Sequence, residues 1–106
     1  MVDKDMVDKH AEIERAVWEL VGEYNGRRLF TFKPYPLKLD TDLNEDFRMD
    51  PLDAYELMER YVEKFNVEPS DIDFGKYFPE DFSKNHQPLT VGMLIESAKA
   101  GRWLYD

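Results

Sequence analysis

Chemistry needs nucleophiles, bases or metal ligands, and this chain supplies few of them. Its histidines are His10 and His86, and its three serines are Ser70, Ser83 and Ser97. No set of ligands is spaced around either histidine, so neither a zinc site nor a histidine base is indicated. Ser70 reads as a helix-start residue and Ser97 as a helical spacer, and none of the three lies in a nucleophile elbow. Cysteine is absent, which excludes thiol nucleophiles, thiolate metal sites and disulfides. The five glycines are scattered and form no phosphate-cradling loop. Asp40-Thr41-Asp42-Leu43-Asn44 matches the first five positions of a calcium loop. The sixth position, which needs glycine for the sharp turn, is Glu45, and the twelfth, which needs a bidentate glutamate, is Pro51. Paired carboxylates abound, but on a solvated acidic helix they are ordinary surface charge. The expectation is a non-enzymatic chain with no cofactor and no metal.

The distribution of charge is more informative. The chain has 106 residues, 14 of them basic and 23 acidic, for a formal net charge of −9. Between Asp40 and Asp73 stand twelve acids against three bases, so this window holds the whole net charge. Such a field attracts basic partners and repels nucleic acid; its plain alternative is a solvated face that aids solubility. With 42 % hydrophobic and 14 % aromatic residues, the length suits one domain, residues 1–106, with one core. No apolar run approaches the roughly 20 residues a membrane span requires, and the first residues lack the layout of a secretory signal. A monomeric cytoplasmic protein that touches neither membrane nor nucleic acid is expected.

Four helical segments follow from periodicity and capping. In the first, Asp8 to Asn25, Ile13, Ala16, Val17, Leu20, Val21 and Tyr24 share one arc, with Asp8 as N-cap and Asn25-Gly26 as terminator. Arg28 to Lys33 favours a short strand, cut off by Pro34 and Pro36. The loop onward to Asp50 should be pinned by Leu29, Phe30, Phe32, Leu37, Leu39, Leu43 and Phe47. The second helix starts at Pro51, a residue suited to the first helical position, with Asp50 as its cap and Asp53 in its first turn. Its expected buried arc is Ala54, Tyr55, Met58, Tyr61, Val62 and Phe65, opposite Asp53, Glu56, Glu59, Arg60 and Glu63. Leu52 falls among the acids, off the apolar arc. Pro69-Ser70-Asp71 opens a short third helix, Ile72 to Phe78, ended by Pro79. Thr90 caps a last helix, Val91 to Ala100, buried through Val91, Leu94, Ile95 and Ala98 and stopped by Gly101. The tail through Trp103 is apolar enough to dock.

The run Asp42-Leu43-Asn44-Glu45-Asp46-Phe47-Arg48-Met49-Asp50-Pro51-Leu52-Asp53-Ala54-Tyr55-Glu56-Leu57 resembles the central motif of acyl carrier proteins, in which Asp-Ser-Leu-Asp opens an acidic second helix. Phe65-Asn66-Val67-Glu68-Pro69 is similar to the end of that helix, and Leu89-Thr90-Val91 to the capped start of the last one. The likeness covers about Asp8 to Ala100. The ending around Ala100-Gly101-Arg102-Trp103 resembles an uncharacterised bacterial branch of carrier-like chains. The resemblance implies an all-α, acyl-carrier-protein-like four-helix bundle with an extended first loop and room for one short strand pair.

Three departures qualify what the resemblance implies. The family's serine, which carries 4′-phosphopantetheine, is replaced by Pro51, and a side chain without a hydroxyl cannot be esterified. The nearest hydroxyls, Thr41 and Ser70, lie elsewhere. Arg48 stands where glycine is usual, and residues 27–39 lengthen the first loop. The family's partner surface maps onto Met49, Asp50, Leu52, Asp53, Glu56 and Glu63, which would face a basic surface of another protein. Two other readings stay open: a lipid or small-molecule binder using an interior lined by Tyr55, Met58 and Phe65, and an acidic mimic that occupies a DNA-binding protein.

Overall fold

The computed structural model describes residues 4–25, 35–81 and 85–105. These residues form four α-helices and no strand: α1 (Lys4–Gly22), α2 (Pro51–Phe65), α3 (Phe74–Tyr77) and α4 (Val91–Ala100), with a 3-10 turn at Pro69–Asp71. One isolated antiparallel bridge joins Asp42 to Thr90. The strand expected at Arg28 to Lys33 and the anchors Leu29, Phe30 and Phe32 lie outside the described residues.

Helix α1 begins earlier than the cap at Asp8 predicts, because nothing in residues 4–7 breaks a helix and Asp8 simply continues it. Val17, Leu20, Val21 and Tyr24 are buried on the expected arc, while Ile13 packs at its edge. The last turn tightens, with Glu23 N–H bonding Glu19 O at 3.1 Å and Tyr24 N–H bonding Val21 O at 3.0 Å, and Gly26 of the expected terminator lies outside the described residues. Asn25 then clamps the chain where it returns, accepting from Tyr35 N–H at 2.7 Å and donating to Tyr35 O at 2.9 Å.

Both ends of α2 follow the local chemistry. Asp50 Oδ1 accepts the Leu52 N–H at 2.8 Å, Pro51 takes the first helical position, and Asn66 closes the helix in left-handed backbone (φ 57°). The buried face is rotated from the expected one. Ala54, Leu57, Met58 and Tyr61 are buried, whereas Tyr55 is 56 % exposed and Val62 and Phe65 are only partly covered. The correction has a tertiary cause: α2 sits against α1, and Tyr61 donates from its hydroxyl to Leu94 O of α4 at 2.6 Å. Holding Tyr61 at the centre fixes the rotation and swings Tyr55 outward.

The segment expected as one helix, Ile72 to Phe78, is divided. Glu68 Oε1 accepts from Ser70 N–H and Oγ, Ile72 N–H closes the 3-10 turn on Pro69 O at 3.1 Å, and Ile72 itself is extended. Helix α3 starts only at Phe74. Helix α4 has the predicted bounds. Thr90 Oγ1 accepts from Met93 N–H at 3.2 Å, and Gly101 ends the helix with φ 72°. Ser97 is more than a spacer, since it is fully buried and its Oγ accepts the Leu104 N–H at 3.2 Å, seating the tail. Trp103 is buried with its ring against the edges or faces of Tyr61, Tyr77 and Tyr105 at 5.7–6.4 Å. A second correction concerns Leu39, whose side chain is 55 % exposed. Its backbone does the anchoring, because Leu39 O accepts the Gly92 N–H at 2.9 Å.

Candidate functional site

The loop before α2 is held by carboxylates turned onto backbone. Asp42, 7 % exposed, receives the N–H of Asn44 at 2.9 Å and of Leu89 at 3.3 Å on Oδ1. Its own N–H donates to Asp46 Oδ2 at 2.9 Å, and its carbonyl accepts from Asp46 and Phe47, both at 3.0 Å. Asp42, the central acid of the run that resembles a calcium loop, therefore serves as a turn cap. No group of three or more His, Asp or Glu suited to a metal ion occurs among the described residues. Thr41, buried, accepts the Lys38 N–H and belongs to this loop as well.

Arg48 ends the loop in left-handed backbone (φ 55°). That reversal returns the Met49 N–H to Leu43 O at 3.0 Å and turns the Met49 side chain into the core, where it is 7 % exposed. The expectation that Met49 meets a partner is therefore corrected: its side chain packs with Leu43 and Phe47 in the same buried cluster. The other expected partner residues stand along the outward side of α2. Asp50 and Leu52 are exposed at its start, Leu52 by 81 %; Asp53 is half-buried, and Glu56 and Glu63 are exposed. Pro51 is exposed between the first two.

Glu56 also has a structural task. Tyr24 OH donates to Glu56 Oε1 at 2.7 Å, and Arg60 donates to Tyr24 OH at 3.2 Å and pairs with Glu23 at 2.6 Å. This clasp ties α1 to α2. Burial, then the bond to Glu56, raises the Tyr24 pKa above the ordinary phenol value. Bonds to Tyr24 and Glu23 raise that of Arg60. The two bases of this part of α2 are thus directed at α1, where Arg60 and Lys64 share a recess with Glu19 and Glu23.

Next to the exposed acids lies a cleft of about 190 Å³, open to solvent, lined by Tyr55, Met58 and Val62 of α2 and by Pro69, Ile72 and Phe74, with Glu59 on its lining. The Tyr55 ring tilts against Phe74 at 5.6 Å. Tyr55 and Met58 were expected around an interior space together with Phe65; instead they meet at a surface cleft, and Phe65 packs on Tyr61 at 5.3 Å. Sequence reasoning missed this cleft because it depends on the extended link at Ile72, which no periodicity announces.

The sequence also gave no sign that His86 meets Glu45. The imidazole Nε2 lies 2.9 Å from Glu45 Oε1 and Nδ1 lies 3.0 Å from Gln87 O. The Gln87 carbonyl first, and then Glu45 and Asp42, hold the His86 pKa above the ordinary value. Two acceptors facing both ring nitrogens favour the doubly protonated ring. No helix among the described residues is long and apolar enough to cross a membrane.

Comparison with curated proteins and with solved structures found no match. Residues 10–106 match a family described as a protein of unknown function (DUF1493), and the chain belongs to that family.

Proposed function

We propose that this chain is an acyl-carrier-protein-like module that cannot be charged with 4′-phosphopantetheine and works by non-covalent docking, its acidic α2 face meeting a basic surface of a partner protein. The observation that carries the reading is the start of α2: Pro51 stands at an Asp50-capped helix start, where the resemblance to acyl carrier proteins would put their serine, and Leu52 beside it is 81 % exposed with carboxylates around it in sequence. A well-exposed apolar side chain among carboxylates is accessible to a partner and would leave water on docking. The left-handed Arg48 lends further support, because a conformation that favours glycine occurs where carrier proteins place one. The long-range field of the window from Asp40 to Asp73 would steer the partner, and the exposed acids would pair with it at the rim.

Mass spectrometry after incubation with a broad-specificity phosphopantetheinyl transferase and coenzyme A tests the carrier-like part. The wild type should gain nothing and Pro51→Ser should gain one prosthetic group; a modified wild type overturns the reading. Affinity capture from the native host tests the docking part, comparing wild type with a Leu52→Ala, Glu59→Lys variant. Glu59 is a better choice than Glu56, whose reversal would also break the clasp to Tyr24. Recovery of the same proteins in equal amount by both forms removes α2 as the docking face.

A further inference from the structure

The cleft beside α2 is apolar apart from Glu59, and exposed acids neighbour its lining residues in sequence. Glu59 is part of its lining, and Glu63 stands one turn further along the same side of the helix. On the opposite wall, Glu68, Asp71 and Asp73 flank Pro69 and Ile72 and are exposed. Among the described residues no base lines the cleft, and Arg60 is drawn away by Glu23 and Tyr24. Leu52 and Tyr55 extend the apolar surface from the cleft along α2 toward its N-terminus.

This pattern selects its occupant by charge. A fatty-acid anion or other acidic amphiphile would bring a carboxylate among like charges, which costs energy at short range. A neutral apolar ligand would leave the acids without a role in recognition. A peptide that carries a large apolar side chain between lysines or arginines satisfies both parts, because the side chain leaves water as the cations meet the rim. We propose that the cleft receives one large apolar side chain of a basic peptide segment of the partner, whose neighbouring cations pair with Glu59, Glu63 and Asp71. The inference rests on the docking reading and specifies its mode: the partner supplies the inserted group, while this chain supplies the slot.

The test uses the full chain with labelled backbone amides and methyl-labelled Val, Ile and Met, and a synthetic peptide bearing one phenylalanine between two pairs of lysines. At low salt the peptide should shift the Val62, Ile72 and Met58 methyl signals saturably. Replacing the phenylalanine by alanine, or using the Glu59→Lys, Glu63→Lys protein, should weaken binding about tenfold or more, a loss equivalent to about 1.4 kcal/mol. Both protein changes are on exposed positions, so folding is not at stake. Shifts confined to α2 amides, with Val62 and Ile72 unmoved, overturn the cleft's role and leave the docking reading standing. An absence of any shift along α2 overturns both. Saturable binding of decanoate at the same methyls, with no response to the peptide, overturns the proposal in favour of a lipid occupant.

Discussion

Asp42 is the residue on which the loop before α2 turns, and its removal gives the sharpest test of that reasoning. The substitution Asp42→Ala deletes one oxygen that accepts two backbone N–H groups, from Asn44 at 2.9 Å and from Leu89 at 3.3 Å. Leu89 is 1 % exposed, so its N–H cannot turn to water once the acceptor has gone. A buried donor left without a partner costs about 1–3 kcal/mol. The longer bond contributes less, and relief from burying a charge offsets part of the loss. The net expectation is a loss of about 2–4 kcal/mol. With a urea dependence of about 1.5 kcal/mol per molar, that lowers the unfolding midpoint by about 1.3–2.7 M. Asp42→Asn keeps an acceptor oxygen in place and should lose about 1 kcal/mol. Urea titration followed by the fluorescence of the buried Trp103 reads both. A midpoint for Asp42→Ala within about 0.3 M of wild type would refute the assignment. So would an asparagine variant as damaged as the alanine one, since that would make the charge, and not the acceptor, the source of stability.

Three other outcomes follow from local geometry. Arg48→Gly should raise stability by about 0.5–1 kcal/mol, because glycine adopts φ 55° without the crowding a Cβ brings; a lowered urea midpoint would contradict this. Gly92→Ala should lose about 1 kcal/mol despite alanine's better helix propensity, since its Cβ would stand 3.1 Å from Leu39 O, whereas Gly22→Ala, with nothing within 4 Å, should gain about 0.5–1 kcal/mol in the same titration. The folded-state pKa of His86 is raised, so the stability it contributes is fully present below the unfolded value of about 6.5 and is lost as pH rises through the folded value. Ring-proton NMR should show His86 titrating above the ordinary imidazole value of about 6.5 in wild type, with the shift reduced but not abolished in Glu45→Gln.

The local chemistry of the sequence determined where two helices lie. Asp50-Pro51 and Thr90 mark N-termini, and Asn66 and Gly101 mark stops, through short-range hydrogen bonds and backbone preferences that need no distant partner. Composition likewise placed the acidic window, and Pro51 by its identity removed a hydroxyl from the start of α2. Tertiary contacts decided the rest. Periodicity names an arc but not its zero angle. Tyr61 bonded to Leu94 O set the rotation that buried Leu57 and exposed Tyr55. The left-handed Arg48 sent Met49 inward, Tyr24 drew Glu56 into a clasp, and the extended Ile72 opened the cleft. Each of these depends on groups far apart in the chain or on a backbone reversal, and side-chain types counted along a line do not encode the meeting of distant groups.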